Sequence, residues 1–348
     1  MGEVIVPKKL PDDSHHVVVK LEAVHVPATS VDTSPFSHEF ISYEYTPKED
    51  IALVTERIKY ASIVATVTVP INAQTLGEAP YLKCVITETA GTNHIDVEEC
   101  ERRGIVIYSA PTAAADAVSE HALGLYFATR RSFVSVHNAL YDYGPSQANG
   151  WKTTGSLSSI IKDSKGQPPR SSKNEIVGIF GYGPIGQRIS NLCKALGMTV
   201  IVAGRKGSTS HDDPTRVPFT EAVGEATVLF NILPLLPQTL GTFGPAEFQN
   251  MRPDAVIINV GRGGTIDEAA LFDALSKGRI YGAATDVFEK EPVGCDEDSI
   301  LLSEEAKRLN LTLTPHLAWC ADQTSINLQQ SLKDNIRAYV EKQVASST

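Results

Sequence analysis

The chain has 348 residues, 42% of them hydrophobic and 21% charged, enough for two domains with separate buried cores. Its 31 basic and 41 acidic side chains leave a formal charge of −10, which argues against recognition of nucleic acid by charge. No run approaches the roughly 18 consecutive apolar residues of a membrane span, so no membrane partner is expected.

The opening MGEVIVPKKLPDDSHH has no apolar stretch behind a basic one, which argues against a secretory leader. Val6 spoils a myristoylation reading of Gly2. Five cysteines, without a C-x-x-C pair, suggest neither a disulfide framework nor a metal site. A cytoplasmic location is the expectation.

Over the first 110 residues, β-rich runs alternate with helical ones. HVVVKLEAVHV, FISYEYT, SIVATVTV, LKCVITET and IVIYSA read as strands, PKEDIALVTERIKYA and DVEECERRG as helices. Pro47 at the opening and Ile51, Val54 and Ile58 at helical spacing support the first helix. Such alternation predicts an α/β layer on a largely parallel sheet. VSEHALGLYFATRR then reads as a long helix leaving the first domain, its basic end matched to the helix dipole. Residues 155–173, rich in Ser, Lys, Gly and Pro, read as an exposed mobile loop.

A second α/β series starts at Glu175. IVGIF, MTVIVAG, ATVLFNILP, AVIINV, YGAATDV and LTLTPH read as its strands, and TSINLQQSLKDNIRAYVEKQV as a final helix packing back on the first domain. After IVGIF, Gly181, Gly183 and Gly186 stand in G-x-G-x-x-G spacing at the opening of a helix, with Pro184 and Ile185 between. The first allows a tight turn, the second lets backbone approach a pyrophosphate, and the third lets helix and strand pack closely. Amides at the helix start then face the anion, so a dinucleotide is predicted.

An NAD site usually places an acid at the end of the next strand, to hold the ribose 2′-hydroxyl. Here MTVIVA runs instead into Gly204, Arg205, Lys206, Gly207 and Ser208. A solvated basic turn would look the same, but cations at this position suit a 2′-phosphate. The expectation is NADP(H) in preference to NAD(H).

Three polar residues end later strands, where open α/β sheets place ligands: Arg262 in NVGRGG, Glu291 in DVFEKEP and His316 in LTPHLAW. Singly, each also reads as an ordinary surface or structural residue. Together with AGTNHID (90–96), GYGPIG, NILPLLPQT (231–239), NVGRGGTIDEAAL (259–271), GAATDVFEKEP (282–292) and TPHLAW (314–319), they form an ordered set. From about residue 62 to 335 the chain resembles the D-isomer-specific 2-hydroxyacid dehydrogenases.

The resemblance implies two Rossmann-like doubly wound domains with a cleft between them. A flavodoxin-like substrate domain would span 1–110 and 318–348, and a dinucleotide domain 111–317. It implies that Arg262 binds the carboxylate and polarises the keto oxygen of a small 2-oxo acid, that His316 is the acid–base group, and that Glu291 is its partner. The amides of Ala90, Gly91 and Thr92 would also hold the carboxylate. Asp286 would meet the nicotinamide carboxamide, while Leu233, Pro234, Thr239, Asn259, Val260, Gly261 and His316 would line the cofactor. Trp319 either lines the substrate pocket or packs at the domain junction; His121, Cys295 and Cys320 read as structural or incidental. The helix carrying His121 resembles the family's subunit interface, which implies a homodimer.

Departures narrow the reading. Glu291 differs from the glutamine of formate dehydrogenases, and Ala90 from the lysine of phosphite dehydrogenases. The remaining functional expectation is NADPH-dependent reduction of glyoxylate, hydroxypyruvate or a related 2-oxo acid. The alternatives are a bulkier aryl or branched 2-oxo acid, or a dinucleotide-sensing role like that of the related corepressors.

Overall fold

The computed structural model describes residues 2–208 and 215–347. The apolar runs form two separate parallel sheets, and the chain divides into Met1–Ala114 with Cys320–Thr348 (unit 1) and Ala115–Trp319 (unit 2). These divisions lie a few residues beyond the 110/111 and 317/318 boundaries read from the sequence.

Unit 1 runs β1 (His15–Lys20), β2 (Ser37–Ser42), α1 (Ile51–Ile58), β3 (Ile63–Thr66), α2 (Ala73–Gly77), β4 (Cys84–Thr87), α3 (Val97–Arg102) and β5 (Val106–Tyr108). Its strand order is β2-β1-β3-β4-β5, all parallel. Because both faces are covered, the strands are apolar without strict alternation. Val17, Val19, Val64 and Val85 pack with Val54, Ile58 and Leu76 on one face. On the other, Val18, Ile63 and Ile86 meet Leu332, Ile336, Tyr339 and Val340 of the C-terminal helix (Asp322–Ser347).

Three boundaries differ from the sequence reading. β1 stops at Lys20 instead of running on to Val26, because the backbone beyond it turns to bury Glu22. β2 sits earlier, at Ser37–Ser42, rather than over FISYEYT. α1 starts at Ile51 rather than Pro47, since the Asp50 carboxylate caps the Leu53 amide.

Unit 2 opens with α4 (Ala115–Arg130), α5 (Phe133–Tyr141) and α6 (Gly150–Thr154). It continues through β6 (Ile176–Phe180), α7 (Pro184–Ala195), β7 (Thr199–Val202), α8 (Phe219–Glu225), β8 (Val228–Asn231), α9 (Pro245–Asn250), β9 (Val256–Asn259), α10 (Glu268–Ser276), β10 (Gly282–Thr285) and β11 (Leu311–Leu313). The parallel order is β11-β10-β9-β8-β6-β7. Phe180, Phe219 and Phe243 stack edge-on within its main core. A buried ion pair, Arg130 to Glu175 at 2.7 Å, ties α4 to the start of β6.

Residues 155–173, expected as an exposed mobile loop, are largely exposed but carry local structure. They contain the short 3₁₀ turn Ser158–Ile161, and a second, Ser172–Asn174, straddles their end. Arg170 bonds Asp254 at 2.7 Å, and the Tyr281 hydroxyl donates to the Ile161 carbonyl. Both contacts hold the segment to its own unit.

Each sheet has a topological switch point, where consecutive connections leave a strand in opposite directions: β1 in unit 1 and β6 in unit 2. Open α/β sheets receive ligands at the carboxyl ends of such strands.

Candidate active site

At the switch point of unit 2, β6 passes through Gly181, whose φ of +102° suits glycine, into α7. A Cβ on Gly186 would lie 2.1 Å from the Gly181 carbonyl oxygen, so helix and strand approach this closely only with glycine there. Around Gly183 nothing lies within 4 Å of a Cβ position, which leaves the backbone accessible. Pro184 is the first helical residue, and the Gly183 cap offers no side chain to the first-turn amides. These features fit a pyrophosphate.

Alongside lies a cavity of about 970 Å³ whose walls include Gly181, Gly204, Arg205, Arg216, Pro234 and Thr239. Lys206, Ser208 and Leu233 also border it, and no carboxylate does among the described residues. The cations differ in availability. Lys206 is committed to Glu247 at 2.7 Å and to the Thr242 carbonyl at 2.8 Å. Arg205 makes no side-chain hydrogen bond or ion pair among the described residues, and the Ser208 hydroxyl closes the turn onto the Arg205 carbonyl. Arg216 lies over the Tyr182 ring, 5.1 Å from its centroid.

Further along the sheet, Arg262 follows β9 in extended conformation, with its guanidinium donating to the Gly261 carbonyl. Burial pushes that guanidinium below its ordinary range, while the negative charge of Glu291 opposes the shift. Beneath it is a buried amide network. Asn231 donates to Asn259 and Thr265, while the Asn259 amide and the Thr265 hydroxyl donate to the Arg262 carbonyl. A Cβ on Gly263 would fall 1.9 Å from the Phe288 backbone, so glycine lets the segment carrying Glu291 pass over this turn.

His316 and Glu291 meet at 2.7 Å through Nδ1 and Oε2, with side chains 43% and 31% exposed. Its other oxygen accepts from the Phe288 amide at 2.8 Å. Burial raises the Glu291 carboxyl, but the His316 hydrogen bond and charge, the Phe288 amide and Arg262 together hold it below the usual range. The His316 backbone has φ +55°, uncommon for a non-glycine residue, and is fixed by a 2.8 Å bond from its amide to the Asp286 carbonyl. Nδ1 is engaged by Glu291, which leaves Nε2 as the ring nitrogen for a substrate.

Residues 135–318 match the family described as D-isomer specific 2-hydroxyacid dehydrogenase, NAD binding domain. This chain belongs to that family. It is 31% identical over 307 residues to a glycerate dehydrogenase of Methylorubrum extorquens, covering 88% of this chain and 90% of that one. It is 31% identical over 279 residues to 4-methyl-2-oxopentanoate reductase A of Aspergillus oryzae, covering 79% and 77%. Among solved structures, an NADPH-dependent glyoxylate/hydroxypyruvate reductase from Sinorhizobium meliloti, in complex with NADP and malonate, superposes with a TM-score of 0.71. That likeness covers 93% of both chains at 26% identity. The chain is thus a 2-hydroxyacid dehydrogenase with a nicotinamide dinucleotide as its cofactor.

The remaining family positions divide between the two units. In unit 2, Asp286 is buried, and its carboxylate accepts from Thr314, Leu317 and Ala318, stapling the His316 segment to β10. His121 joins the same cluster, 3.0 Å from the Thr314 hydroxyl. Trp319 donates its indole N–H to the His316 carbonyl. Val260 is buried beside the Arg262 turn. Ala90, Gly91 and Thr92 belong to unit 1, beyond β4, and their three amides find no acceptor among the described residues. Thr89 draws the Gly91 carbonyl down at 2.7 Å.

Sequence reasoning passed over Asn231, Thr265 and Arg216. An asparagine closing each of the apolar runs VLFN and VIIN was a usable signal, since a buried amide demands a partner. Arg216 carried no such signal, because only folding brings its turn to the cavity.

Proposed function

We propose that this chain reduces a small 2-oxo acid to the D-2-hydroxy acid and prefers NADPH. The observation that carries the reading is the His316–Glu291 pair at 2.7 Å in the same unit as a half-buried Arg262 whose turn is held from below. Bound along the glycine loop, the reduced nicotinamide would supply the hydride that adds to C2. Arg262 donates to the substrate's carboxylate and keto oxygen, where its planar fork outperforms a point charge. The amides of Ala90, Gly91 and Thr92, without an acceptor among the described residues, give unit 1 an anion seat of its own. As charge builds on the former keto oxygen, His316 delivers the proton from Nε2. Glu291 orients the ring and stabilises its cationic form, and in the oxidative direction the same nitrogen takes the proton back.

The preference for NADPH rests on Arg205, which has no side-chain partner among the described residues, beside Ser208 in a cavity wall whose described residues include no acid. Lys206 plays a smaller part because Glu247 already holds it. A 2′-phosphate is bound well by such a guanidinium, whereas a ribose hydroxyl lacks its usual carboxylate. Dimerisation is proposed as well. α5 has no buried residue, and Phe133, Tyr141, Tyr143 and Trp151 are all more than half exposed, a surface suited to a second copy of the chain. The α4 helix, by contrast, buries much of its surface within unit 2.

Initial rates with glyoxylate, hydroxypyruvate, 2-oxoisovalerate and phenylpyruvate, each with NADPH and NADH, test the reading. Turnover faster with NADPH and with the smaller acids supports it. Tight NADPH binding without turnover of any of the four would favour a dinucleotide sensor.

A further inference from the structure

The carboxyl end of the unit 1 sheet offers two sets of backbone amides on adjacent strands. One is the Ala90, Gly91 and Thr92 turn after β4. The other is Val67, Thr68 and Val69, directly after β3 and beside the switch point at β1. Three successive amides pointing at one place form an anion nest. This second nest is filled from within the chain. Oε2 of Glu22 accepts from the amides of Val67, Thr68 and Val69 at 2.7, 2.8 and 3.1 Å, and Oε1 accepts from the Thr68 hydroxyl. Glu22 is 1% exposed. Burial raises its carboxyl, yet these bonds outweigh that effect and hold it below the usual range.

The neighbouring charges do not cancel it. Lys20 is buried and bonded to Glu88, so that pair is neutral and Glu22 adds one net negative charge. Burial, reinforced by the charge of Glu22, pushes the Glu88 carboxyl up against the pull of Lys20. His25 stands 3.8 Å from Glu22 at the edge, 35% exposed and therefore partly screened by water.

We infer that Glu22 is a specificity-determining residue: it occupies the second anion seat of unit 1 and confines the substrate to 2-oxo acids with a single negative group. This rests on the 2-oxo acid reading above, and adds that a second carboxylate or a phosphate is refused. The open turn at Ala90 receives one carboxylate. A second anionic group directed toward the β3 loop meets amides already saturated and a buried like charge. The loops are neighbours, since the Ile71 amide donates to the His94 carbonyl and Asp96 donates back to Ile71.

The test compares glyoxylate with oxaloacetate in wild type, Glu22→Gln and Glu22→Asp. In wild type kcat/KM favours glyoxylate; Glu22→Gln narrows that ratio about tenfold, mainly through KM for oxaloacetate, and Glu22→Asp does not. An unchanged ratio in a folded Glu22→Gln protein overturns the inference. A second readout needs no turnover. In Glu22→Ala, hydrogen exchange at Val67, Thr68 and Val69 speeds up, and added acetate slows it again by refilling the nest. Exchange equal to wild type overturns the inference. If wild type reduces no 2-oxo acid, the functional reading fails, and the exchange experiment still decides whether Glu22 holds the nest.

Discussion

Beyond β6 the chain leaves its switch point open: Gly183 faces empty space, and the adjoining cavity of about 970 Å³ is bordered by Arg205, Lys206 and Arg216. Beyond β1 the corresponding place is filled, because Glu22 turns inward and saturates three amides. Both sheets are parallel and covered on both faces, so architecture alone does not distinguish them. One side chain does. A glycine at the strand end makes a ligand site, whereas a buried carboxylate makes a fixed loop and shifts anion binding to the next turn.

The contrast is broken most severely at the open end. Exchanging His316 for Asn keeps a hydrogen-bonding ring substitute but removes the proton donor, and should lower kcat about 10³-fold with little change in NADPH affinity. Stopped-flow and equilibrium titration separate the two. An equal loss in both would make His316 a cofactor residue. At the filled end, Lys20→Met should leave Glu88 buried without its partner and cost about 3–5 kcal/mol in denaturant unfolding. Lys20→Met with Glu88→Leu should recover most of that, since a well-packed apolar pair replaces an ion pair at little cost. No recovery would mean the pair contributes more than mutual neutralisation.

Smaller effects sharpen the comparison. Arg205→Ala should reduce the NADPH-to-NADH ratio of kcat/KM about tenfold, and Lys206→Ala less than about twofold, because Glu247 already holds that lysine. Equal effects would return Lys206 to the phosphate site. Finally, Glu291 is held below the usual carboxylate range and is therefore ionised through neutral pH. With Glu291→Gln the ring loses the carboxylate that orients it, so kcat of reduction at neutral pH should fall about tenfold with NADPH affinity unchanged. An unchanged kcat would remove Glu291 from the proton transfer.

What the sequence made legible is what lies close along the chain. Short apolar runs such as VIIN and VLFN marked strands, and the glycine spacing marked the loop after β6, because both depend on neighbouring residues. Family motifs marked Arg262, Glu291 and His316. Illegible were the contacts made across tens of residues. Glu22 looked like part of a continuing strand, and nothing nearby announced that the loop after β3 would close on it. Lys206 and Arg205 looked equivalent until Glu247 arrived from α9 to pair with only one of them. Arg170, in a stretch read as a mobile loop, finds Asp254 just before β9. Asn231 and Thr265 support the Arg262 turn from two separate segments.

The central claim is hydride transfer to C2 with a proton from His316, and product analysis tests it most directly. The chain would be given glyoxylate or hydroxypyruvate and NADPH deuterated at the transferable position, on each face in turn. The account predicts that one face delivers deuterium to C2, that cofactor oxidised equals product formed, and that hydroxypyruvate gives the D-hydroxy acid. An L product, unlabelled C2, or cofactor bound without oxidation would contradict it.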